Sequence, residues 1–583
     1  MGVPGFYRWI IKTPHNNKYL IIPINDIQNI EIVDLNNTLN NIDYIHLDLN
    51  GLIHPVCNKT ILENNNITDT NELEELIINN VLDYTKQIIS QVNPQKGFYI
   101  GVDGVAPVAK IKQQRIRRHK SISDKKLFDN IKTKHNIPIP NYWNTNAITP
   151  GTEFMEKLHN KLLEFIESFE NLHIIYSSYL TFGEGEHKII EFIKNNKDYS
   201  HVIYGLDADL IFLSLVTNSD KIFLLRESNE INYDNNKTLN YLNINVFRKI
   251  IIEIMKDYID KEINNINLNE ISENIKNKLN NIQLINDFIF ICYLLGNDFI
   301  PHIPSLDIYE NGVEILIINY TKILVELYII DNNIYSLIDD NKINDLFFNK
   351  FMYKLYMNEE TTLQSNYYNK KIKKCYDTDP YKQELFKIDN LQFKIYDPIQ
   401  LGSDCQYNWR IRYYKHYWNL NPNEIEEFSK ELVKQYLIGL KWITLYYFDK
   451  CASWEWYYPY DYPPFISDIY TYINNFDFNN YEFNLGKPLK PFVQLLIVLP
   501  YSSNYLLPEK LRKLIIDEKS SIKSLYPITF DQDFINKKKY WMGIPKLPKL
   551  DINKIKYYFH KYKDEIFEID NKRNNFIKAI EII

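Results

Sequence analysis

The chain has 583 residues, 45% of them hydrophobic and 24% charged, and its 16 glycines and 24 prolines argue against a collagen-like or Pro/Gly-rich disordered polymer. Five cysteines with no Cys-x-x-Cys pair argue against a disulfide scaffold and a sulfur-rich zinc site, and make a reducing compartment the expectation. A net charge of -7 argues against a passive nucleic-acid coat, but not against an enzyme with a local basic patch.

No apolar run reaches the roughly 18 residues of a membrane span. The start, Met1-Gly2-Val3-Pro4-Gly5-Phe6, fits neither a signal peptide nor a myristoylation site. The first half alternates short apolar runs with helical patterns. In chain order it predicts a strand over Tyr44–Leu49, a helix over Glu72–Ile89 and a strand over Gly97–Val102. A basic helix opens at Val108, and a further helix covers Gly151–Phe169. Strands follow at Leu172–Tyr176, His201–Tyr204 and Lys221–Leu225, with helices at Glu186–Asn195 and Asp287–Leu295. Strands separated by helices indicate crossover units, so the expected fold class is α/β with a mostly parallel sheet. The rest is read as mainly helical, irregular around Asp377 to Asp404, with a helix over Glu424–Leu440 and a dense aromatic segment at 442–465. The expected division is an α/β catalytic domain over 1–310 and a mostly helical region over 311–583.

Acidic residues sit just beyond the predicted strands. Asp48 ends Ile45-His46-Leu47, Asp103 follows Val102, and Glu184 and Glu186 stand in Gly183-Glu184-Gly185-Glu186-His187-Lys188. Asp207 and Asp209 follow the strand His201–Tyr204, and Asp298 stands in Leu295-Gly296-Asn297-Asp298. Taken singly, each is read as a cap or turn residue. Together, seven such acids repel one another unless cations neutralise them, and oxygen-only ligands point to Mg²⁺ or Mn²⁺. Two such ions about 4 Å apart suit phosphodiester chemistry.

In the basic helix, Lys110, Gln114, Arg117 and Arg118 fall at i, i+4, i+7 and i+8 and share one face. An ordinary solvated helix is the bland reading; a seat for a terminal phosphate is the functional one. The aromatic segment Trp454-Glu455-Trp456-Tyr457-Tyr458-Pro459-Tyr460-Asp461-Tyr462-Pro463 is mostly packing by expectation, with one or two rings able to stack on a base. His54 is read as structural, or as a second stacking or phosphate group.

These motifs resemble, in order, those of the Xrn/Rat family of 5′→3′ exoribonucleases. The likeness runs from Gly2-Val3-Pro4 and Leu47-Asp48-Leu49-Asn50-Gly51 to Trp454-Glu455-Trp456-Tyr457-Tyr458-Pro459-Tyr460 and Leu507-Pro508. The resemblance implies an acidic two-metal site at Asp48, Asp103, Glu184, Glu186, Asp207, Asp209 and Asp298. It implies a 5′-monophosphate pocket at Lys110, Gln114, Arg117 and Arg118. It also implies base stacking by His54 and Trp456, with Trp454 as the alternative ring. The implied activity is stepwise degradation of single-stranded 5′-monophosphorylated RNA to nucleoside 5′-monophosphates with Mg²⁺. The implied setting is RNA turnover in the cytoplasm, with the nucleus or a virion as alternatives, by a monomer that a decapping enzyme supplies. The competing readings are a structure-specific DNA flap nuclease and a non-catalytic RNA-binding protein. Departures from the family pattern are Gly5 for a usual Lys, Asp461 for a usual His and Pro463 for a usual Ala. The compact length and the Asn-, Ile-, Lys- and Tyr-rich composition fit a family member from a large DNA virus or a protist.

Overall fold

The computed structural model describes all residues except 1–4, 13–16, 141, 232–236, 371 and 394, so the opening motif Gly2-Val3-Pro4 lies outside the described residues. The strands are β1 (Ile21–Pro23), β2 (Tyr44–Asp48), β3 (Gly97–Gly101), β4 (His173–Ser177), β5 (His201–Tyr204), β6 (Ile222–Ile231) and β7 (Lys237–Asn243), with a last strand at Ile580–Ile582. They form one sheet in the order β1-β7-β6-β5-β2-β3-β4-last strand. The five central strands, β6-β5-β2-β3-β4, are parallel; β1, β7 and the last strand join antiparallel at the edges. The α/β expectation with a mostly parallel sheet holds.

The strands are near-continuous apolar runs because both sheet faces are covered, as parallel sheets require. Their side chains alternate between two cores. Ile45, Leu47, Phe98, Ile100, Val202, Tyr204, Phe223 and Leu225 enter one, under the helices Leu49–Glu63, Thr70–Val92 and Glu153–Ile166. Tyr99, Ile203, Ile222 and Leu224 enter the other. That second core continues without a break through the helices Asn281–Cys292, Gly312–Asp331, Asp345–Tyr368 and Ile425–Phe448. A third core packs the Pro491–Val498 and Ile552–Tyr562 helices against Val105 and the first turn of the basic helix at Val108 and Ile111.

β2 is followed in sequence by β3 on one side, whereas the chain reaches its other neighbour, β5, only after β4. The crossovers therefore leave β2 in opposite directions. That reversal opens a crevice at the carboxyl ends of the strands, where open α/β sheets bind ligands. Asp48 is the last residue of β2, Asp103 lies two residues past β3, and Asp207 three past β5. No described helix is long and apolar enough to cross a membrane.

Candidate active site

The sequence-predicted acids converge at this crevice. Asp48, Glu184, Glu186 and Asp209 are buried, at 6%, 4%, 7% and 2% exposure, while Asp207 is exposed at the rim. The loop after β4 approaches the β3 end so closely that a Cβ on Gly185 would lie 2.8 Å from the Gly101 carbonyl. Gly183, at φ +98°, makes the preceding turn in a conformation that L side chains rarely adopt. Behind that turn, the Gly185 N–H donates to Oδ1 of Asp103 at 2.8 Å, and the Asp103 N–H donates to Oδ1 of Asn50 at 3.0 Å. Lys188, half-buried, donates to the carbonyls of Val102 at 2.9 Å and Thr181 at 2.6 Å, tying the exits of β3 and β4 together. On the other side, Arg226 donates to the carbonyls of Leu206 and Asp207 and holds the loop after β5.

Crowded acids in a buried site resist ionisation. Burial, then the charges of Asp103 and Asp207, pushes Asp48 well above the usual carboxylate range. Burial raises Glu186 well above its usual value too, with Glu184, Asp209 and Asp207 adding to the effect. Asp103 and Asp209 are also raised, burial first. Lys110 is a cation set among these acids: its Nζ lies 2.7 Å from Oε2 of Glu184 and 2.8 Å from Oδ2 of Asp298. Burial works against its charge, but Asp298, Glu184, Glu186 and Asp209 outweigh that and hold it firmly protonated.

The basic helix runs over Val108–Lys134, well past the segment that marks it in the sequence. Lys110, Gln114 and Arg118 are buried along it, and Arg117 is exposed. Gln114 Oε1 accepts from Gln494 at 3.2 Å. Arg118 donates to the carbonyl of Asn146 at 3.2 Å, while its Nε is buried with no hydrogen-bond partner among the described residues. Burial, with the charge of Arg117, lowers Arg118 to about 9, so it stays cationic at neutral pH. His54 is held near 4 by burial and by the charges of Arg117 and Arg118, which places it beside the basic face as a neutral ring.

In the aromatic segment, Trp456 stacks on Trp442 with ring centroids 5.2 Å apart, and Trp442 stacks on Tyr446 at 4.7 Å. Trp454 meets Phe182 edge-on at 5.2 Å, beside the turn that leads to Glu184. Lys112 fastens this segment to the basic helix, donating to the carbonyls of Tyr458 at 3.0 Å and Tyr460 at 2.6 Å and pairing with Asp461 at 3.0 Å. The residue that departs from the family pattern at 461 is thus the partner of a helix lysine.

Several residues of the site carry no signal in one sequence. Tyr446 and Tyr447, from the far helix Ile425–Phe448, donate hydrogen bonds to Glu184 and Asp209. His187 brings a ring nitrogen to within 4.8 Å of ligand oxygens of Glu184 and Glu186. Its burial pushes it down to about 3, so it remains neutral.

The donor set fits a hard divalent cation. It is dominated by carboxylate oxygens whose mutual repulsion needs a positive partner, and Oε2 of Glu186 is buried with no hydrogen-bond partner among the described residues. Glu184, Glu186 and His187, whose ligand atoms all lie within 4.8 Å of one another, could hold such an ion.

Known proteins with similar sequences identify the family. Residues 1–228 match the family described as XRN 5′-3′ exonuclease N-terminus, and residues 278–361 and 339–582 match the Xrn1 helical domain. The chain is 31% identical to the 5′-3′ exoribonuclease 1 of Homo sapiens, with all of this chain and 35% of that protein aligned. It is 28% identical to the 5′-3′ exoribonuclease 2 of Debaryomyces hansenii, with all of this chain and 72% of that protein aligned. It is also 28% identical to the 5′-3′ exoribonuclease 2 of Arabidopsis thaliana, over 94% of this chain and 66% of that protein. The chain therefore spans about a third of the length of the human relative and about seven-tenths of the Debaryomyces one.

Proposed function

The chain belongs to the XRN 5′-3′ exonuclease family, and on that premise we propose that it hydrolyses single-stranded RNA one nucleotide at a time from a 5′-monophosphorylated end. The observation that carries this reading is the contact of the basic helix with the acidic crevice, where Lys110 joins Glu184 and Asp298 at 2.7 and 2.8 Å. A terminal phosphate seated on that helix face is held within reach of the carboxylates.

In the proposed mechanism, Arg117, Arg118, Gln114 and Lys110 bind the 5′-phosphate. A terminal phosphate offers more charge and more acceptor oxygens than a bridging one, which favours an end over an internal position. His54, neutral beside the arginines, and Trp456, backed by Trp442, take the first base between them. That grip converts the encounter of water and linkage into a positioned, effectively unimolecular step. Two divalent cations, Mg²⁺ or Mn²⁺, held by the seven carboxylates would supply the charge that polarises the phosphodiester and makes water a nucleophile at neutral pH. Lys110 and Lys188 keep the loops of Glu184 and Asp103 fixed while the first linkage breaks. The product is a nucleoside 5′-monophosphate, and the new 5′-phosphate of the shortened RNA refills the same pocket.

The test is a time course on one 3′-labelled single-stranded RNA bearing a 5′-monophosphate, triphosphate or hydroxyl, beside DNA of the same sequence. The proposal expects selective loss of the monophosphate RNA without internal fragments. Equal attack on all three RNA ends, or preferential cutting of DNA, would overturn it.

A further inference from the structure

The helix Ile425–Phe448 carries two consecutive tyrosines in its last turn, Tyr446 and Tyr447, about 100° apart around its axis. Both are buried, at 5% and 2% exposure. The Tyr446 hydroxyl donates to Oε1 of Glu184 at 2.6 Å, and the Tyr447 hydroxyl donates to Oδ1 of Asp209 at 2.8 Å. Glu184 caps the helix after β4 and Asp209 opens the helix after β5, and those two strands lie on opposite sides of β2 in the sheet. One helix end therefore grips the carboxylate cluster from both flanks. The tyrosines are themselves held. The Tyr446 ring stacks on Trp442 and lies 3.9 Å from the ring of His187, and the Tyr447 ring lies 5.4 Å from that of Tyr293.

Oε2 of Glu184 faces Lys110, so both of its oxygens are engaged and its plane is set. Such outer hydrogen bonds orient ligating carboxylates and are worth about 10–100-fold in metal affinity or activity.

We propose that Tyr446 and Tyr447 are positioning residues that set the orientation of Glu184 and Asp209 for a divalent cation, so that the helical half of the chain completes the metal site. This rests on the reading of those acids as cation ligands.

Tyr446→Phe and Tyr447→Phe keep the rings and remove only the donors. The measurement is Mn²⁺ binding by titration calorimetry, together with kcat and KM on 5′-monophosphorylated RNA and thermal unfolding in chelator. Each variant is expected to bind Mn²⁺ about 10–100-fold more weakly and to lose a comparable factor in kcat, with KM for RNA and the chelator melting temperature little changed. Tyr436→Phe is the control: it lies on the same helix and donates to the Pro301 carbonyl at 3.3 Å, and its Mn²⁺ affinity should match the wild type. Asp209→Asn separates the two levels. If it abolishes Mn²⁺ binding while both Phe variants bind within twofold of wild type, the positioning role is overturned and the metal site stands. If Asp209→Asn binds Mn²⁺ as the wild type does, the metal-site reading itself fails.

Discussion

Lys110 Nζ lies 2.7 Å from Oε2 of Glu184, the point at which the basic helix meets the acidic loop. The proposed phosphate seat and the carboxylate cluster thus share a residue.

The first prediction concerns stability. Asp48 is buried and raised, burial first and then Asp103 and Asp207. An acid whose folded value lies above its unfolded value contributes stability below the unfolded value and loses it as pH rises through the folded one. Asp48→Asn should therefore stabilise the metal-free protein relative to wild type by on the order of 1 kcal/mol near neutral pH. The advantage should shrink as pH falls toward 4, while RNA cleavage drops 100-fold or more. Denaturant unfolding in chelator between pH 4 and 8 checks the sign; an advantage that grows in acid contradicts it.

Metal binding should show the same linkage. Asp48, Asp103, Glu186 and Asp209 all sit above their ordinary values, and a cation must displace the protons they retain. Calorimetry in buffers of different ionisation enthalpy should find net proton release on Mn²⁺ binding, and affinity rising with pH. Proton uptake, or pH-independent affinity, would contradict the cluster as drawn.

Two neighbouring arginines should behave differently. Arg117 is exposed, so Arg117→Ala should reduce the preference for 5′-monophosphate over 5′-hydroxyl RNA by about 10–100-fold, with little change in melting temperature. Arg118 also donates to the Asn146 carbonyl from a buried position, so Arg118→Ala should lose both the preference and about 1–3 kcal/mol of stability.

Much of this arrangement is legible in the sequence, for identifiable reasons. The central strands are buried on both faces, so β2, β3, β4, β5 and the start of β6 appear as apolar runs, each found within a residue or two of its predicted start. The acids follow those runs because the chemistry sits at strand ends. Lys110, Gln114 and Arg118 share a face by helical spacing alone. What spacing does not convey is what opposes a face: nothing in the pattern places Lys110 between Glu184 and Asp298. The edge strands were equally silent. Ile580–Ile582 is three residues long and pairs with β4 some 400 positions earlier, Ile580 opposite Tyr176. Tyr446 and Tyr447 fall in the aromatic segment beyond the predicted helix end at Leu440; the helix in fact runs on to Phe448, and only the packed fold brings their hydroxyls to Glu184 and Asp209.

The departure at Asp461 yields a contrast in stability. The Lys112–Asp461 pair is partly solvated, with side chains 18% and 50% exposed, so Asp461→Ala should cost less than about 1 kcal/mol. Lys112→Ala also strands the carbonyls of Tyr458 and Tyr460 and should cost about 1–3 kcal/mol. Denaturant midpoints of the two variants give the comparison. Equal losses would mean that the carbonyl contacts contribute nothing.

The most direct measurement is the first product released from a 5′-³²P-labelled single-stranded RNA in Mg²⁺, sampled before one turnover per chain is complete. The account predicts labelled nucleoside 5′-monophosphate as the sole labelled product from the earliest point, absent with Asp209→Asn. Labelled oligonucleotides of two or more residues would show cutting inside the strand and contradict it.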